Sequence, residues 1–236
     1  MNNRASSVSS EGFERSPRVS QQPEKVEVTS MDTLTRAYYA STAAVCAARY
    51  ESASVPSVHD FLRSLATTGS RALEIGGGSG RDAAFLVQLG CDTTYTDGCK
   101  EMVAQALERH PELAERARCA AFPLSDDDDL LCERYDLVLC AAVIMHLDEP
   151  SLERLVSQVS RLIVDGGSLV LSHSRGHRCE QGNRDSWGRL FVERSPAMVS
   201  RIFEMAGFRP VRLIENPDGL GREQITWATH VLRKTS

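Results

Sequence analysis

The sequence lacks any apolar run long enough to cross a membrane. Its longest uninterrupted run, Leu137 to Met145, has nine residues, whereas a membrane-spanning helix needs about 20. The first residues contain no apolar block that could form the core of a secretory signal. Basic residues are not in excess, since 27 Lys and Arg stand against 32 Asp and Glu, for a net charge of −5. We therefore expect a cytoplasmic protein that does not bind a membrane or nucleic acid.

Paired cysteine motifs are also missing. Seven cysteines occur without a C-x-x-C pair, and an odd number cannot pair completely within one chain. Several lie in apolar segments, so we interpret them as buried thiols of a reducing compartment. The acidic run Asp126 to Asp129 lacks the wider ligand spacing of calcium loops, so we expect a solvated loop there and no bound metal.

Two parts of the chain differ in composition. Residues 1–30 mix Ser, Pro, Gln and charged residues with isolated apolar ones. Such a segment buries too little apolar surface to offset its loss of conformational entropy, so we predict a disordered N-terminal tail. From residue 31 onward, helical patterns alternate with short apolar runs. This alternation predicts one α/β domain over residues 31–236, a doubly wound sheet behind an N-terminal helical cap.

A glycine-rich segment follows the first predicted strand, Arg71 to Ile75. Gly76-Gly-Gly-Ser-Gly80 precedes a predicted helix, and glycines there allow a tight turn and the close approach of a ligand to the backbone. Asp97 ends the next predicted strand, where a carboxylate can accept hydrogen bonds from both hydroxyls of a ribose. Together these features predict a nucleoside-containing ligand at the switch point of the sheet.

The spacing within this segment distinguishes among such ligands. A dinucleotide fingerprint that begins at Gly76 needs glycine at position 81, which is Arg81, and a P-loop needs Lys followed by Ser or Thr after Gly80. The carboxylate of Glu74, directly before the loop, would repel a pyrophosphate but suits a ligand with an ammonium or sulfonium group. We therefore favour S-adenosylmethionine over NAD, FAD or ATP.

Four segments occur in an order and at separations that a known family shares. They are Glu74-Ile-Gly-Gly-Gly-Ser-Gly80, Thr94 to Met102, Tyr135 to Leu147 and Asp165 to Leu171. In these segments the chain resembles the class I S-adenosylmethionine-dependent methyltransferases, and the similarity extends over about residues 35–234. The resemblance implies a Rossmann-like, mostly parallel, seven-stranded sheet whose last strand is antiparallel. It also implies that the protein is a methyltransferase.

The resemblance further implies which residues surround the cofactor. They are Glu74, Gly76, Gly78, Gly80, Asp97, Met102, Phe122, Cys140 and Ala141. Relatives often carry an Asp shortly before the position of Phe122, where it binds the adenine amine, but Arg118-Cys-Ala-Ala121 stands here. Backbone groups or Ser125 are the alternatives for that contact.

Methyl transfer requires alignment of the acceptor, exclusion of water and, for some acceptors, removal of a proton. His146, just past the fourth predicted strand, is our candidate base, and a structural histidine in a turn is the alternative. The candidate substrate contacts are His173, Arg175, Arg189 and Arg222. Either Arg189 or Arg222 can bind a carboxylate, although a solvated loop is an equal interpretation for the segment around Arg189.

The acceptor is less well defined than the cofactor. The N/D-P-P-Y segment of nucleic-acid amine methyltransferases is absent after the fourth strand. We therefore expect a small-molecule acceptor, methylated on O, N, S or C. An NAD(P)-dependent oxidoreductase and a non-catalytic cofactor-binding protein remain alternatives on the same fold, and the oligomeric state is left open.

Overall fold

In the part of the chain that the structure describes, seven strands form one sheet in the order β3-β2-β1-β4-β5-β7-β6. The computed structural model describes residues 1, 31–53 and 56–236, so the predicted tail lies outside the described residues apart from Met1. The strands are β1 (Arg71–Ile75), β2 (Asp92–Asp97), β3 (Ala117–Cys119), β4 (Tyr135–Ala141), β5 (Ile163–Arg175), β6 (Phe208–Pro217) and β7 (Thr226–Lys234). Strands β1 to β5 pair in parallel, and β7 lies antiparallel between β5 and β6. The predicted sheet with its antiparallel last strand is confirmed.

Six α-helices in the described residues flank this sheet. They are α1 (Thr33–Ser52), α2 (Pro56–Leu65), α3 (Arg81–Gln88), α4 (Lys100–Arg109), α5 (Glu149–Leu162) and α6 (Pro196–Met205). Local capping fixes their starts: the Asp148 carboxylate accepts the backbone N–H of Ser151 at the start of α5, and the Ser195 hydroxyl accepts that of Met198 in α6.

Strand β4 shows how the sheet divides the core into two layers. Leu137 and Leu139 face a cluster that includes helices α2 and α3, whereas Val138 and Cys140 face the cluster that contains α5 and α6. Successive side chains of a strand point to opposite faces, so an unbroken apolar run is required where both faces are covered. This is why the run is so apolar in the sequence.

Helix α1 covers the carboxyl edge of the parallel strands. Its buried Cys46 and Ala47 pack with Cys99 and Met102 at the start of α4. This contact places the tyrosines of α1 above the loops that follow β1 and β2, which confirms the predicted helical cap. None of the helices in the described residues has both the length and the apolar character needed to span a membrane.

Candidate active site

The loop after β1 adopts conformations that only glycine takes without strain. Gly76 and Gly78 have φ values of +67° and +55°. A Cβ atom on Gly76 would lie 2.4 Å from a methyl of Val143, and one on Gly77 would lie 2.5 Å from Oε2 of Glu74. The glycines therefore let the backbone approach both the turn after β4 and the carboxylate at the end of β1.

The carboxylate of Glu74 is buried beneath this loop. The residue is only 2% exposed, and among the described residues its Oε2 atom has no hydrogen-bond partner. Burial raises the pKa of Glu74 well above its usual range, and the nearby negative charge of Asp82 raises it further. A positively charged group placed beside Oε2 would remove the cost of this burial.

Asp97 joins the glycine loop to the start of α4. Its two carboxylate oxygens accept one backbone hydrogen bond each, from Gly78 over 2.9 Å and from Cys99 over 2.8 Å. Burial raises the pKa of Asp97 to about 6, although these two hydrogen bonds favour the charged form. Each oxygen keeps a lone pair for a further donor, so the carboxylate can still accept two hydroxyl groups.

Arg81, the residue that breaks the dinucleotide fingerprint, has a structural position. Its guanidinium pairs with the buried carboxylate of Asp82 over 2.8 Å and donates to the carbonyls of Tyr50 and Ala53. These bonds attach the end of α1 to the first turn of α3. Arg81 therefore holds the cap over the glycine loop.

One cavity of about 490 Å³ opens along the carboxyl edge of the sheet. Most of the predicted site residues line it: Glu74, Gly76, Gly78, Asp97, Met102, Phe122, Ala141, His146, Arg189 and Arg222. Tyr39 of α1 also lines the cavity, as do Asp218 and Trp227, to which the sequence analysis assigned no role there. The volume is in the usual range for a small-molecule pocket.

His146 has both ring nitrogens engaged. Its Nδ1 lies 2.6 Å from the carbonyl oxygen of Leu190 and its Nε2 lies 3.0 Å from the hydroxyl of Tyr39. A carbonyl can only accept, so Nδ1 carries the proton, and Nε2 accepts from Tyr39. Burial lowers the pKa of His146 to about 4, so the ring is neutral at pH 7.

Arg194 fixes the turn that carries His146. Its buried guanidinium donates to the carbonyls of Ile144 and Leu147 over 2.8 and 2.9 Å and pairs with Glu149 over 2.8 Å. Ile144 precedes His146 in sequence, and Leu147 and Glu149 follow it, so these bonds fix the turn on both sides of the histidine. Nothing in the local sequence indicated this contact, because Arg194 is separated from the turn by the whole of α5 and β5.

The loop between β5 and α6 is tied to the cap. Arg184 forms a bidentate pair with Asp32, at 2.7 and 2.9 Å, and the backbone N–H of Leu190 donates to the hydroxyl of Thr35 over 2.9 Å. The Arg184 hydrogen bonds hold the pKa of Asp32 well below its usual range. Helix α1 and the 177–194 loop therefore cover the cavity as one connected layer.

Two of the predicted cofactor contacts lie outside the cavity lining. Gly80 precedes α3 with φ of +83°, and a Cβ there would lie 3.0 Å from atoms of Ala106 and Leu113. Its smallness therefore allows the close approach of α4. Cys140 faces the core while its neighbour Ala141 lines the cavity, since adjacent strand residues alternate.

His173 and Arg175 also differ from expectation in position. Ser172 and Ser174 of β5 line the cavity, so the residues between and beyond them face the opposite side of the sheet. Nε2 of His173 lies 3.3 Å from Nε2 of His230, and the guanidinium of Arg175 pairs with Glu215. We therefore correct the prediction: neither residue reaches the main cavity.

Arg189 and Arg222 do reach the cavity, but each already has a carboxylate partner. Arg189 binds Asp185 through two nitrogens at 2.7 and 2.9 Å, and Arg222 binds Asp218 at 2.8 and 2.9 Å. Arg189 also lies 4.5 Å from the ring centroid of Tyr38. Their positive charges are therefore compensated before any ligand binds.

Comparison with known proteins agrees with this geometry. Residues 73–169, which contain the glycine loop, Asp97 and the turn with His146, match the family model described as a methyltransferase domain. This central part of the chain is therefore similar to a methyltransferase domain. Among proteins with curated functions, none matches the sequence.

Solved structures share the fold of this chain at low sequence identity. The 1,6-didemethyltoxoflavin-N1-methyltransferase of Burkholderia thailandensis, bound to 1,6-didemethyltoxoflavin and S-adenosylhomocysteine, is 20% identical with a TM-score of 0.67, covering 86% of this chain and 88% of that one. The magnesium protoporphyrin IX methyltransferase of Synechocystis PCC 6803, with bound S-adenosylhomocysteine, is 19% identical with a TM-score of 0.62, covering 86% and 99%. These likenesses show the Rossmann-like methyltransferase fold.

The same fold also occurs in a protein that is named as a cyclase and not as a methyltransferase. The cyclase SpnF is 14% identical to this chain with a TM-score of 0.62, and the match covers 86% of this chain and 96% of that one. The fold alone therefore does not identify the reaction, which must be argued from the residues of the site.

Proposed function

We propose that the protein is an S-adenosylmethionine-dependent methyltransferase that acts on a small-molecule acceptor. The unpartnered, buried carboxylate oxygen of Glu74 beside the glycine loop is the observation that carries this proposal. S-adenosylmethionine supplies an ammonium group and an activated methyl group on a cationic sulfur. A cation is the ligand group that a buried carboxylate requires, whereas a pyrophosphate would be repelled by it.

The residues around the loop fit the rest of that cofactor. The Asp97 carboxylate, fixed by the N–H groups of Gly78 and Cys99, has lone pairs for the two ribose hydroxyls. Met102 and Phe122 also line the cavity and provide apolar contacts for an adenine ring. Ser125 does not line the cavity, and its hydroxyl donates to Asp127 instead. Backbone groups near residues 120–122 are therefore our choice for the adenine amine.

Gly76 and Ala141 complete the proposed cofactor site through their backbones. Gly76 lies against the turn after β4, and Ala141 is the last residue of that strand. Ala142, next in sequence, also lines the cavity and has a φ value of +61°, which is uncommon for a residue with a Cβ. This conformation turns the chain at the carboxyl end of β4, beside the glycine loop.

Tyr39 and His146 are the proposed groups that remove a proton from the acceptor. Both line the cavity, and the Tyr39 hydroxyl donates to the unprotonated Nε2 of His146. As the acceptor is methylated, its proton passes to the Tyr39 oxygen while the Tyr39 proton passes to Nε2 of His146. The carbonyl of Leu190 holds Nδ1–H throughout and stabilises the resulting imidazolium. Arg194 positions this histidine by fixing the turn.

A small-molecule acceptor agrees with the way the cavity is covered. Helix α1 and the 177–194 loop, joined through Asp32 and Arg184, lie over the cavity and exclude water from the reacting atoms. The net charge of −5 does not favour a nucleic-acid substrate. All seven cysteines lie in the described residues and none forms a disulfide, which supports the proposed cytoplasmic location.

A two-step experiment tests this function. Calorimetry measures the binding of S-adenosylhomocysteine, which does not depend on knowing the acceptor. A screen of small-molecule acceptors with methyl-labelled cofactor then measures transfer. We expect binding in the first step and labelled product in the second. Binding without transfer to any acceptor would favour the non-catalytic alternative, and uptake of reduced nicotinamide nucleotide in its place would favour the oxidoreductase.

A further inference from the structure

The charges of the acceptor side of the cavity are already compensated by the protein. We define the acceptor side as the lining residues within 172–177, 189–191 and 216–229. The charged side chains among them are Arg189, Asp218 and Arg222. Arg222 pairs with Asp218 inside the cavity wall, and Arg189 pairs with Asp185 just behind it.

Both carboxylates of these pairs are buried. The side chain of Asp218 is 2% exposed and that of Asp185 is 8% exposed. Asp218 also accepts the indole N–H of Trp227 over 2.8 Å. These hydrogen bonds hold the pKa of Asp218 well below its usual range, so it remains an anion. A ligand carboxylate would have to displace a buried anion or lie beside one, and both cost free energy.

The remaining titratable group on this side is neutral. This group is His177, and burial together with the positive charges of Arg222 and Arg189 lowers its pKa to about 4. The acceptor side therefore presents no uncompensated anion to bind a cationic ligand. The buried carboxylate of Glu74, which lacks a partner, belongs to the cofactor side.

The walls of the acceptor side are flat and held in place. The His177 ring stacks on Phe191 with 3.8 Å between centroids and 18° between planes. Trp227 is oriented by its bond to Asp218. The Tyr39 ring, which lines the same cavity outside the acceptor side, is oriented by its bond to His146. Such fixed aromatic faces bind planar rings at a low entropic cost.

We infer that the methyl acceptor is an uncharged, planar aromatic molecule. This inference rests on the proposed function and names the substrate class of the same site. It replaces our prediction that Arg189 or Arg222 binds a substrate carboxylate, because both guanidinium groups have buried partners. Their remaining N–H groups can donate to a neutral oxygen or nitrogen of the ligand.

Three probes of similar shape and different charge test the inference. They are 2-naphthol, 6-hydroxy-2-naphthoate and 6-(aminomethyl)-2-naphthol, which are neutral, anionic and cationic at pH 7.5. Binding of each is measured by calorimetry to protein saturated with S-adenosylhomocysteine. We expect 2-naphthol to bind at least about tenfold more tightly than either charged probe, which corresponds to about 1.4 kcal/mol. Equal or tighter binding of a charged probe, or no binding of 2-naphthol, would overturn the inference.

Variants of the two ion pairs give an independent readout. Asp218→Asn and Asp185→Asn each leave one arginine charge uncompensated, so each should improve the binding of 6-hydroxy-2-naphthoate relative to 2-naphthol by about tenfold. Asp126→Asn is the control, because Asp126 is exposed, pairs with Arg154 and lies outside the cavity. It should leave the ratio unchanged. An unchanged ratio in both ion-pair variants would contradict the inference.

Binding of S-adenosylhomocysteine distinguishes a failure of the proposed function from a failure of the inferred substrate class. It is measured first on every variant and also reports whether the variant is folded. If wild-type protein does not bind S-adenosylhomocysteine, the proposed function fails and the inference fails with it. If it binds S-adenosylhomocysteine but prefers a charged probe, only the substrate class is wrong.

Discussion

The hydroxyl of Tyr39 in helix α1 donates to Nε2 of His146 in the turn after β4, over 3.0 Å. The two residues are 107 positions apart in sequence, and both line the cavity. The carbonyl of Leu190 fixes the opposite side of the imidazole. A residue of the cap is therefore joined to the residue that the sequence indicated as the base.

Substitution of either member of this pair should impair transfer. Tyr39→Phe and His146→Gln each interrupt the proposed proton path, so we expect a loss of turnover of about 10²-fold or more with the affinity for S-adenosylhomocysteine unchanged. Labelled methyl transfer measures the first quantity and calorimetry the second. Because the two residues act in sequence, the double variant should be about as impaired as His146→Gln alone. Additive losses in the double variant would show that they act separately.

The cofactor side should be sensitive to the loss of either carboxylate. Asp97→Asn and Glu74→Gln should each weaken the binding of S-adenosylhomocysteine by about 1–3 kcal/mol, since each removes the charged acceptor for a polar group of the ligand. Glu133→Gln is the matched control, because Glu133 pairs with Arg71 at the partly exposed start of β1. Unchanged affinity in both Asp97→Asn and Glu74→Gln would refute the assigned site.

The affinity for the cofactor should depend on pH through Asp97. Its pKa is raised to about 6 by burial, and only the carboxylate form can accept from both ribose hydroxyls. Binding of S-adenosylhomocysteine should therefore weaken as the pH falls from 7 to 5. Calorimetry at a series of pH values measures this change, and Asp97→Asn should show a smaller dependence over the same range. An identical dependence in that variant would exclude Asp97 as its source.

The buried pair of His173 and His230 should make folding stability pH-dependent. Burial lowers the pKa of each to about 4, below the value of about 6.5 expected in the unfolded chain. The unfolded state therefore binds more protons between these values, and stability falls as the pH falls from 6.5 to 4. The raised pKa values of Asp97 and Glu74 have the opposite effect on the pH dependence of stability. This effect is the same in the wild type and in a His230 variant.

Comparison with His230→Gln isolates the histidine contribution. Denaturant unfolding at pH 7 and pH 5 gives the change in the free energy of unfolding for each protein. We expect the change to be smaller in the variant by about 1–3 kcal/mol, because one unit of pKa shift corresponds to about 1.4 kcal/mol. The same change in both proteins would show that the pair does not titrate on unfolding.

Local patterns predicted the fold class and residues that the structure brings to one cavity. The glycine segment, Asp97 at the end of β2 and the apolar run of β4 are short, contiguous signals whose chemistry is set by neighbours in sequence. They predicted an α/β domain and two of the loops that line the cavity, whereas the seven-stranded sheet was implied by the family resemblance. The strand alternation that separates Ser172 and Ser174 from His173 was also present in the sequence, and applying it would have excluded His173 and Arg175.

The acceptor side depends on partners that are remote in sequence. Arg184 pairs with Asp32 across 152 positions, and Arg194 holds the turn with His146 across 50. No sequence periodicity connects such residues. Their contacts form only when the folded sheet brings the loops at its carboxyl edge close to one another. Arg189 and Arg222 show the reverse case, because Asp185 and Asp218 each precede their arginine by four residues. This four-residue spacing is visible in the sequence. It predicts a side-chain contact on a helix, but these segments are loops.

The most direct test of the central claim compares two ligands in one calorimetric experiment on the wild-type chain. We predict that S-adenosylhomocysteine binds with a stoichiometry of one per chain and that reduced nicotinamide adenine dinucleotide produces no heat of binding. Uptake of the dinucleotide, with no response to S-adenosylhomocysteine, would show that the carboxylate of Glu74 does not select a cationic amino-acid group, and the account would be wrong.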